Sequence, residues 1–369
     1  MKGFIAFCFL VLTLFCASRV KAQIVNTATM DTLETTVIGR VAIGGYIDAY
    51  WSYNFNGRGD QYLPYAISSS RNNELNINLT YVDLRYRSDR LRARIVPGFG
   101  TYMNDNYTNE SGTLKNIVEA NAGVLLSKER KIWLDAGVLG SPYTNESAIS
   151  KDHLMYTRSL APENVPYYLS GVKLSVPVSA KVNAYFYLLN GWQVIEDNNE
   201  GKSLGTQLEY RPNSKMLINW NTYFGDERST LRPQFRQRTL MDFFWIYKPS
   251  PKWDFTSSAY VGWQEQQGAQ TLRWGQFNVI GRYTFNAVYS LSGRLEYFHD
   301  PHQVMVTAQN GVGRFQTYTT GLCLNIKFTD NAMLRFESKY LFSNDSIYQN
   351  ENGTTSSNFL MVGNLTAWF

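Results

Sequence analysis

The chain has 369 residues, 44% of them hydrophobic and 15% aromatic, led by 25 tyrosines, yet its mean hydropathy is slightly negative. A soluble core of this size needs long apolar runs or helical periodicity; neither occurs, and a chain that alternates apolar and polar residues one by one has this composition. Its net charge is +5, and setting aside Lys2, Arg19 and Lys21 leaves 32 basic against 30 acidic residues, which argues against a nucleic-acid or general polyanion binder.

The first residues carry Lys2, an apolar run from Phe4 to Phe15, and Val20-Lys21-Ala22. That pattern predicts a secretory signal peptide over 1–22. The run is shorter than the ~20 residues a spanning helix requires, and no later stretch reaches that length. Cys8 and Cys16 fall in the leader, so Cys323 stands alone, without a disulfide or metal partner. Residues 23–40, polar and rich in Thr and Asn, are expected to form a periplasmic lead.

From Val41 onward the pattern divides into sixteen strands, at 41–55, 73–88, 90–104, 116–128, 131–141, 167–178, 180–193, 202–212, 214–226, 235–249, 252–265, 273–285, 287–300, 316–328, 331–344 and 357–369. Short connections, near Ser88-Asp89, Glu129-Arg130, Val178-Ser179, Pro212-Asn213, Ser250-Pro251, Asn286 and Thr329-Asp330, carry turn chemistry. Between them come long ones rich in Asn, Gly, Ser, Gln and Asp, of which 142–166 is the longest. Strict alternation of tight turns and long loops predicts an all-β, up-and-down antiparallel transmembrane barrel, with short periplasmic turns and long extracellular loops.

The strand faces agree. In 331–344, Ala332, Leu334, Phe336, Ser338, Tyr340 and Phe342 oppose Met333, Arg335, Glu337, Lys339 and Leu341, so charge sits on one face only. The last strand sets Phe359, Met361, Gly363, Leu365, Ala367 and Phe369 on an apolar face and ends on an aromatic residue. Aromatics near strand ends (Trp51, Tyr53 and Phe55; Trp245 and Tyr247; Tyr297 and Phe298; Trp368 and Phe369) suit interfacial girdles against outer-membrane lipid.

Two stretches carry a resemblance: Ile43-Gly-Gly-Tyr-Ile-Asp-Ala-Tyr-Trp-Ser-Tyr-Asn54 and Tyr156-Thr-Arg-Ser-Leu-Ala-Pro-Glu-Asn-Val-Pro-Tyr-Tyr168. With them the chain, from about 41 to 369, resembles the OmpL-like class of β-barrel porins. The resemblance implies a channel in a Gram-negative outer membrane, and supplies no catalytic residues and no particular solute.

Sixteen strands enclose an aqueous channel, whereas eight would be filled by side chains. Selectivity should then come from inward charges and from any loop folded inside. The densest cluster is Asp83-Leu-Arg85-Tyr-Arg87-Ser-Asp-Arg90-Leu-Arg92-Ala-Arg94. With Ser88 and Asp89 as turn residues, Arg87 faces Arg90, Arg85 faces Arg92 and Asp83 faces Arg94. The two like-charged pairs are unfavourable unless something acidic lies opposite, and Arg87 and Arg90, next to the turn, are expected to form a solvated rim at the periplasmic mouth. Arg85, Arg92 and Arg94 therefore form a candidate pore-lining ladder, with Arg282, Arg294, Glu296, Arg335, Glu337 and Lys339 elsewhere on the wall.

Loop 142–166, stiffened by Pro142, Pro162 and Pro166, is the candidate constriction, through Glu146, Asp152, Arg158 and Glu163. If it narrows the pore, its carboxylates are expected to face the arginine ladder. An enzyme is the competing class, but only His153, His299 and His302 exist, in or next to outer loops, and no zinc spacing, phosphate loop or Gly-x-Ser-x-Gly is present. The reading is a non-enzymatic porin, without cofactor or metal, passing small hydrophilic solutes with weak anion preference, with a homotrimer as the assembly that general porins suggest. The alternatives are a channel specific for an anion or a sugar, and a plugged surface receptor or adhesin.

Overall fold

The computed structural model describes residues 36–57, 59–197, 199, 201–230 and 232–369. The expected signal peptide lies outside the described residues, as does most of the expected lead. From Thr36 the lead is ordered: β1 (Thr36–Ile38) folds back on β2 (Val41–Asn54).

The barrel continues with β3 (Leu75–Arg87), β4 (Leu91–Phe99), β5 (Ile117–Ser127), β6 (Ile132–Gly140), β7 (Tyr168–Pro177) and β8 (Val182–Leu189). Then come β9 (Ser203–Asn213), β10 (Met216–Asp226), β11 (Phe235–Ser250), β12 (Trp253–Gln266), β13 (Leu272–Thr284), β14 (Tyr289–Asp300), β15 (Phe315–Thr329) and β16 (Ala332–Phe342). A small hairpin, β17 (Tyr348–Asn350) and β18 (Gly353–Thr355), decorates the last long loop before β19 (Ser357–Trp368). Each strand from β2 to β16 pairs antiparallel with the next, β16 pairs with β19, and β19 returns to β2. All sixteen expected strands are present, closed into one barrel.

Closure explains the terminal aromatic residue. Gly45 and Phe369 exchange two backbone hydrogen bonds of 2.9 and 3.0 Å, and the Phe369 ring lies over Gly45, where a Cβ would collide with it. Beyond Phe369 the edge of β2 would be bare, and β1 takes it, pairing Thr36 with Ile43 and Ile38 with Val41. An unpaired edge facing lipid leaves backbone groups without partners, so this short strand completes the sheet where β19 stops.

Period-2 alternation sorts the faces. Met361, Leu365 and Phe369 point outward and are exposed, while Leu360, Val362, Asn364 and Thr366 point inward and are buried. Trp51 and Phe55 stand on the outer face, but Phe298 and Trp368 do not belong to a girdle. Phe298 is buried in the interior, and the Trp368 ring lies 5.7 Å from the Lys151 ammonium. Position parity decides this, since Phe298 shares its face with Arg294 and Glu296, and Trp368 shares its face with Asn364 and Thr366.

Two further expectations change. The 90–104 strand stops at Phe99, and Thr101–Asn106 forms a helical turn, α1. In the first hairpin the turn residues are Asp89 and Arg90: the Ser88 N–H donates to the Leu91 carbonyl at 2.8 Å, and Leu91 N–H donates back to the Ser88 hydroxyl at 3.2 Å. The register therefore moves by two, pairing Arg85 with Arg94 and Arg87 with Arg92.

Candidate functional site

An open aqueous interior was the expectation from strand number, and the structure differs. The connection between β6 and β7 runs inside the barrel. Its apolar residues Met155, Tyr156, Leu160, Ala161 and Val165 pack among inward aromatics including Tyr50, Tyr185, Tyr223, Tyr260 and Phe298. The side chains of a sixteen-stranded wall cannot meet across its diameter, so a piece of main chain occupies the middle. A second turn of helix, α2 (Leu160–Glu163), lies in this segment.

A buried main chain needs partners for its N–H and C=O groups, and charged wall residues provide them. Glu337 accepts from the Tyr156 and Thr157 N–H groups at 2.9 and 2.8 Å, and from the Thr157 hydroxyl. Glu296 accepts from Leu160 N–H at 2.8 Å, and Asp242 from Thr144 N–H at 3.0 Å. In the other direction Arg294 donates to the Thr157 carbonyl at 2.7 Å, Arg335 to that of Ser150 at 2.7 Å, and Lys339 to that of Arg158 at 3.1 Å. Arg294 and Glu337 also form an ion pair of 3.2 Å with both side chains fully buried. Arg294, Glu296, Arg335, Glu337 and Lys339 thus face inward, but they grip the loop instead of bordering free solvent.

The first resemblance stretch meets the loop here. Tyr46 OH lies 2.7 Å from Ser150 Oγ, and that hydroxyl donates to Asp48 at 3.2 Å. Asp48, wholly buried, also accepts from Asn78 and Asn364 at 2.8 and 2.7 Å. The first stretch is one docking face for the loop, and the second forms the loop's later part and the start of β7.

Below the loop, on the tight-turn side, two cavities remain. The first, of about 320 Å³, is bordered by Arg85, Arg87, Arg92, Arg94 and Lys173, by Glu119, Asp135 and Glu146, and at its outer end by Tyr102, Tyr107 and Tyr167. Here the like-charged neighbours created by the register are compensated diagonally and from the next strands. Asp83 sits between Arg85, at 3.0 Å, and Arg94, at 2.8 Å. Arg94 reaches Glu119 at 2.7 Å, and Arg92 Nε donates to Asp135 at 2.6 Å. The arginine side chains keep roughly a fifth to a third of their surface open, 28% for Arg85, 29% for Arg92 and 19% for Arg94.

The second cavity, of about 450 Å³, is bordered by Lys151, Arg211, Lys215, Lys248 and Arg282 against Glu146, Asp152 and Asp254. Arg282 pairs with Asp254 at 2.6 Å, Arg211 with Glu209 at 3.0 Å, and Lys151 with Asp152 at 2.7 Å.

Of the four loop residues singled out, Glu146 borders both cavities and Asp152 the second. Arg158 is buried within the loop, donating to the carbonyls of Ser147, at 3.1 Å, and Ala148. Glu163 accepts from Ile67 and Ser68 N–H groups at 2.9 and 3.1 Å, fastening the loop to the 55–74 connection. The arginine wall is answered mainly by Asp83, Glu119 and Asp135, not by the loop. Glu119 and Asp135 escaped the sequence reading, although they sit on the inward phase of strands correctly placed there. Among the described residues, no group of three or more His, Cys, Asp or Glu is placed to hold a metal ion.

Known structures share the fold. OmpT of Vibrio cholerae aligns with a TM-score of 0.58 at 11% identity, covering 91% of this chain and 100% of that one. The outer membrane channel DcaP of Acinetobacter baumannii gives 0.61 at 11%, over 89% and 97%. An anion-selective porin from Comamonas acidovorans gives 0.55 at 9%, over 89% and 99%. No curated protein matches in sequence. The family described as "Putative beta-barrel porin-2, OmpL-like" matches residues 40–369, and with the closed barrel this places the chain in that family, as an outer-membrane porin.

Proposed function

We propose that the barrel passes small hydrophilic solutes with a weak preference for anions, and that the two inner cavities are its periplasmic vestibules. The observation that carries this reading is the charge of their walls. Counting the buried Asp83 behind the first and Glu209 behind the second, the first has five basic groups (Arg85, Arg87, Arg92, Arg94, Lys173) against four acidic ones, and the second also five (Lys151, Arg211, Lys215, Lys248, Arg282) against four. In a confined, low-dielectric space such an excess raises the local concentration of anions. Arg85, Arg92, Arg94 and Arg282 line the vestibules, and Glu146, common to both, tempers the excess. The buried charges under the loop position it. A channel role, without catalysis, is what this wall chemistry supports.

The test is electrical. In planar bilayers under a salt gradient, discrete conductance steps with a reversal potential on the anion side are expected. A reversal potential on the cation side refutes the preference, and silence refutes the pore. OmpT has been solved in a trimer form, and we propose a trimer here as well; a monomer mass in mild detergent refutes it.

A further inference from the structure

The arginine-walled cavity has an outer end, and one short segment closes it. After β4 the chain turns at Gly100, whose φ of +132° suits glycine and where a Cβ would meet the Asn78 carbonyl oxygen. It then forms α1 and returns to β5 past Gly112, at φ +50°. Tyr102 and Tyr107 of this segment, each 1% exposed, stand at the cavity's outer boundary. Tyr107 stacks on Tyr168 with ring centroids 4.1 Å apart and planes at 12°. Tyr102 meets Tyr167 edge-on at 5.3 Å. Four phenol rings thus occupy the place where a solute leaving the arginine wall would move outward.

The segment is not part of the barrel ladder. Side chains hold it, and Glu110 gathers the most contacts. Its buried carboxylate accepts from Tyr168 OH at 2.7 Å, Ile195 N–H at 2.8 Å and Glu196 N–H at 3.1 Å, which binds three connections together. Asn106 accepts from Gln193 at 3.1 Å, and Tyr50 OH lies 3.2 Å from Thr101 Oγ1. Hydrogen bonds to a carboxylate are about twice as strong as neutral ones, so this one group is the strongest polar fastening, beside the apolar packing of Tyr102, Met103 and Tyr107 on Tyr46, Leu79 and Val138.

We propose that residues 100–116 form a gate: Tyr102 and Tyr107 swing off the cavity's outer end, about Gly100 and Gly112, when Glu110 releases its three donors. Lids of this kind are fastened by side chains and hinged at residues that tolerate large φ and ψ changes. The inference rests on the pore reading above and adds where that pore is closed.

Single-channel recording of the full-length barrel separates the two. Glu110→Gln presents an N–H group where one donor needs an acceptor, so the closed-to-open ratio should fall roughly tenfold, with reversal potential unchanged. Tyr107→Ala leaves the Glu110 contacts in place and should enlarge the conductance of each opening. If Glu110→Gln fails to give a folded barrel by heat-modifiable mobility, Tyr107→Ala decides alone. Wild-type steps together with unchanged conductance in Tyr107→Ala and an unchanged open fraction in any folded Glu110→Gln barrel overturn the gate and leave the pore standing. Silence in the wild type and every folded variant overturns both.

Discussion

Two inward-facing charge clusters look alike in the sequence and do different work. On β3 to β6, Arg85, Arg92 and Arg94 with Glu119 and Asp135 border a cavity, backed by the buried Asp83, and keep part of each guanidinium open. On β14 to β16, Arg294, Glu296, Arg335, Glu337 and Lys339 lie beneath the loop with almost no surface left. The first cluster keeps contact with open space, and the second satisfies a buried main chain. The difference teaches that alternation assigns a charge to the inside of a barrel, while its neighbour there decides whether it borders a cavity or holds structure.

The largest expected effect comes from the buried cluster. Glu337→Ala strands Arg294 and the Tyr156 and Thr157 N–H groups, and should cost about 3–5 kcal/mol, as breaking a buried pair does. Denaturant unfolding in detergent should show that loss, and bilayers a larger conductance as the loop loosens. Leu160→Ala attacks the same packing from its apolar side. Leu160 is buried against the inward aromatics, and about 2–5 kcal/mol is the range for such a truncation.

Arg92→Ala probes the other cluster. The Arg92 guanidinium is partly open but Asp135 is buried, so stability should fall by about 1–3 kcal/mol, less than for Glu337→Ala, while the reversal potential shifts toward cations. A stability loss as large as that of Glu337→Ala would erase the contrast between the clusters.

The smallest effect belongs to the surface. The Arg314 hydrogen bond holds Asp345 below the ordinary carboxylate range. A depressed acid stabilises above its unfolded value and loses that contribution as pH falls through its folded one. Acid should therefore release the Arg314–Asp345 contact only below the usual carboxylate range, which the Arg314 side-chain N–H resonance would report. Arg314→Ala should leave neutral-pH conductance unchanged.

Strands, turns and faces were legible because their signals are local. The parity of Arg335 and Glu337, or of Leu365 and Thr366, needs no knowledge of the rest of the chain. The first tight turn shows the limit: Ser88-Asp89 is the turn the sequence predicts, and the Ser88 hydroxyl, bonded to Leu91, moves it to Asp89-Arg90. Phe298 and Trp368 show another, since an aromatic near a strand end was assigned by its height, and parity turned it inward.

The sequence by itself determined a sixteen-stranded outer-membrane barrel, its inward charges and its longest loop, because a period of two and the chemistry of tight turns are properties of neighbouring residues. Only the tertiary structure decided that the loop runs through the interior, which charges grip it and which border the cavities. Those outcomes depend on residues far apart in the chain, such as Ser150 with Arg335, 185 positions apart, and Thr144 with Asp242, 98 apart, and on a barrel too wide for its own side chains to fill.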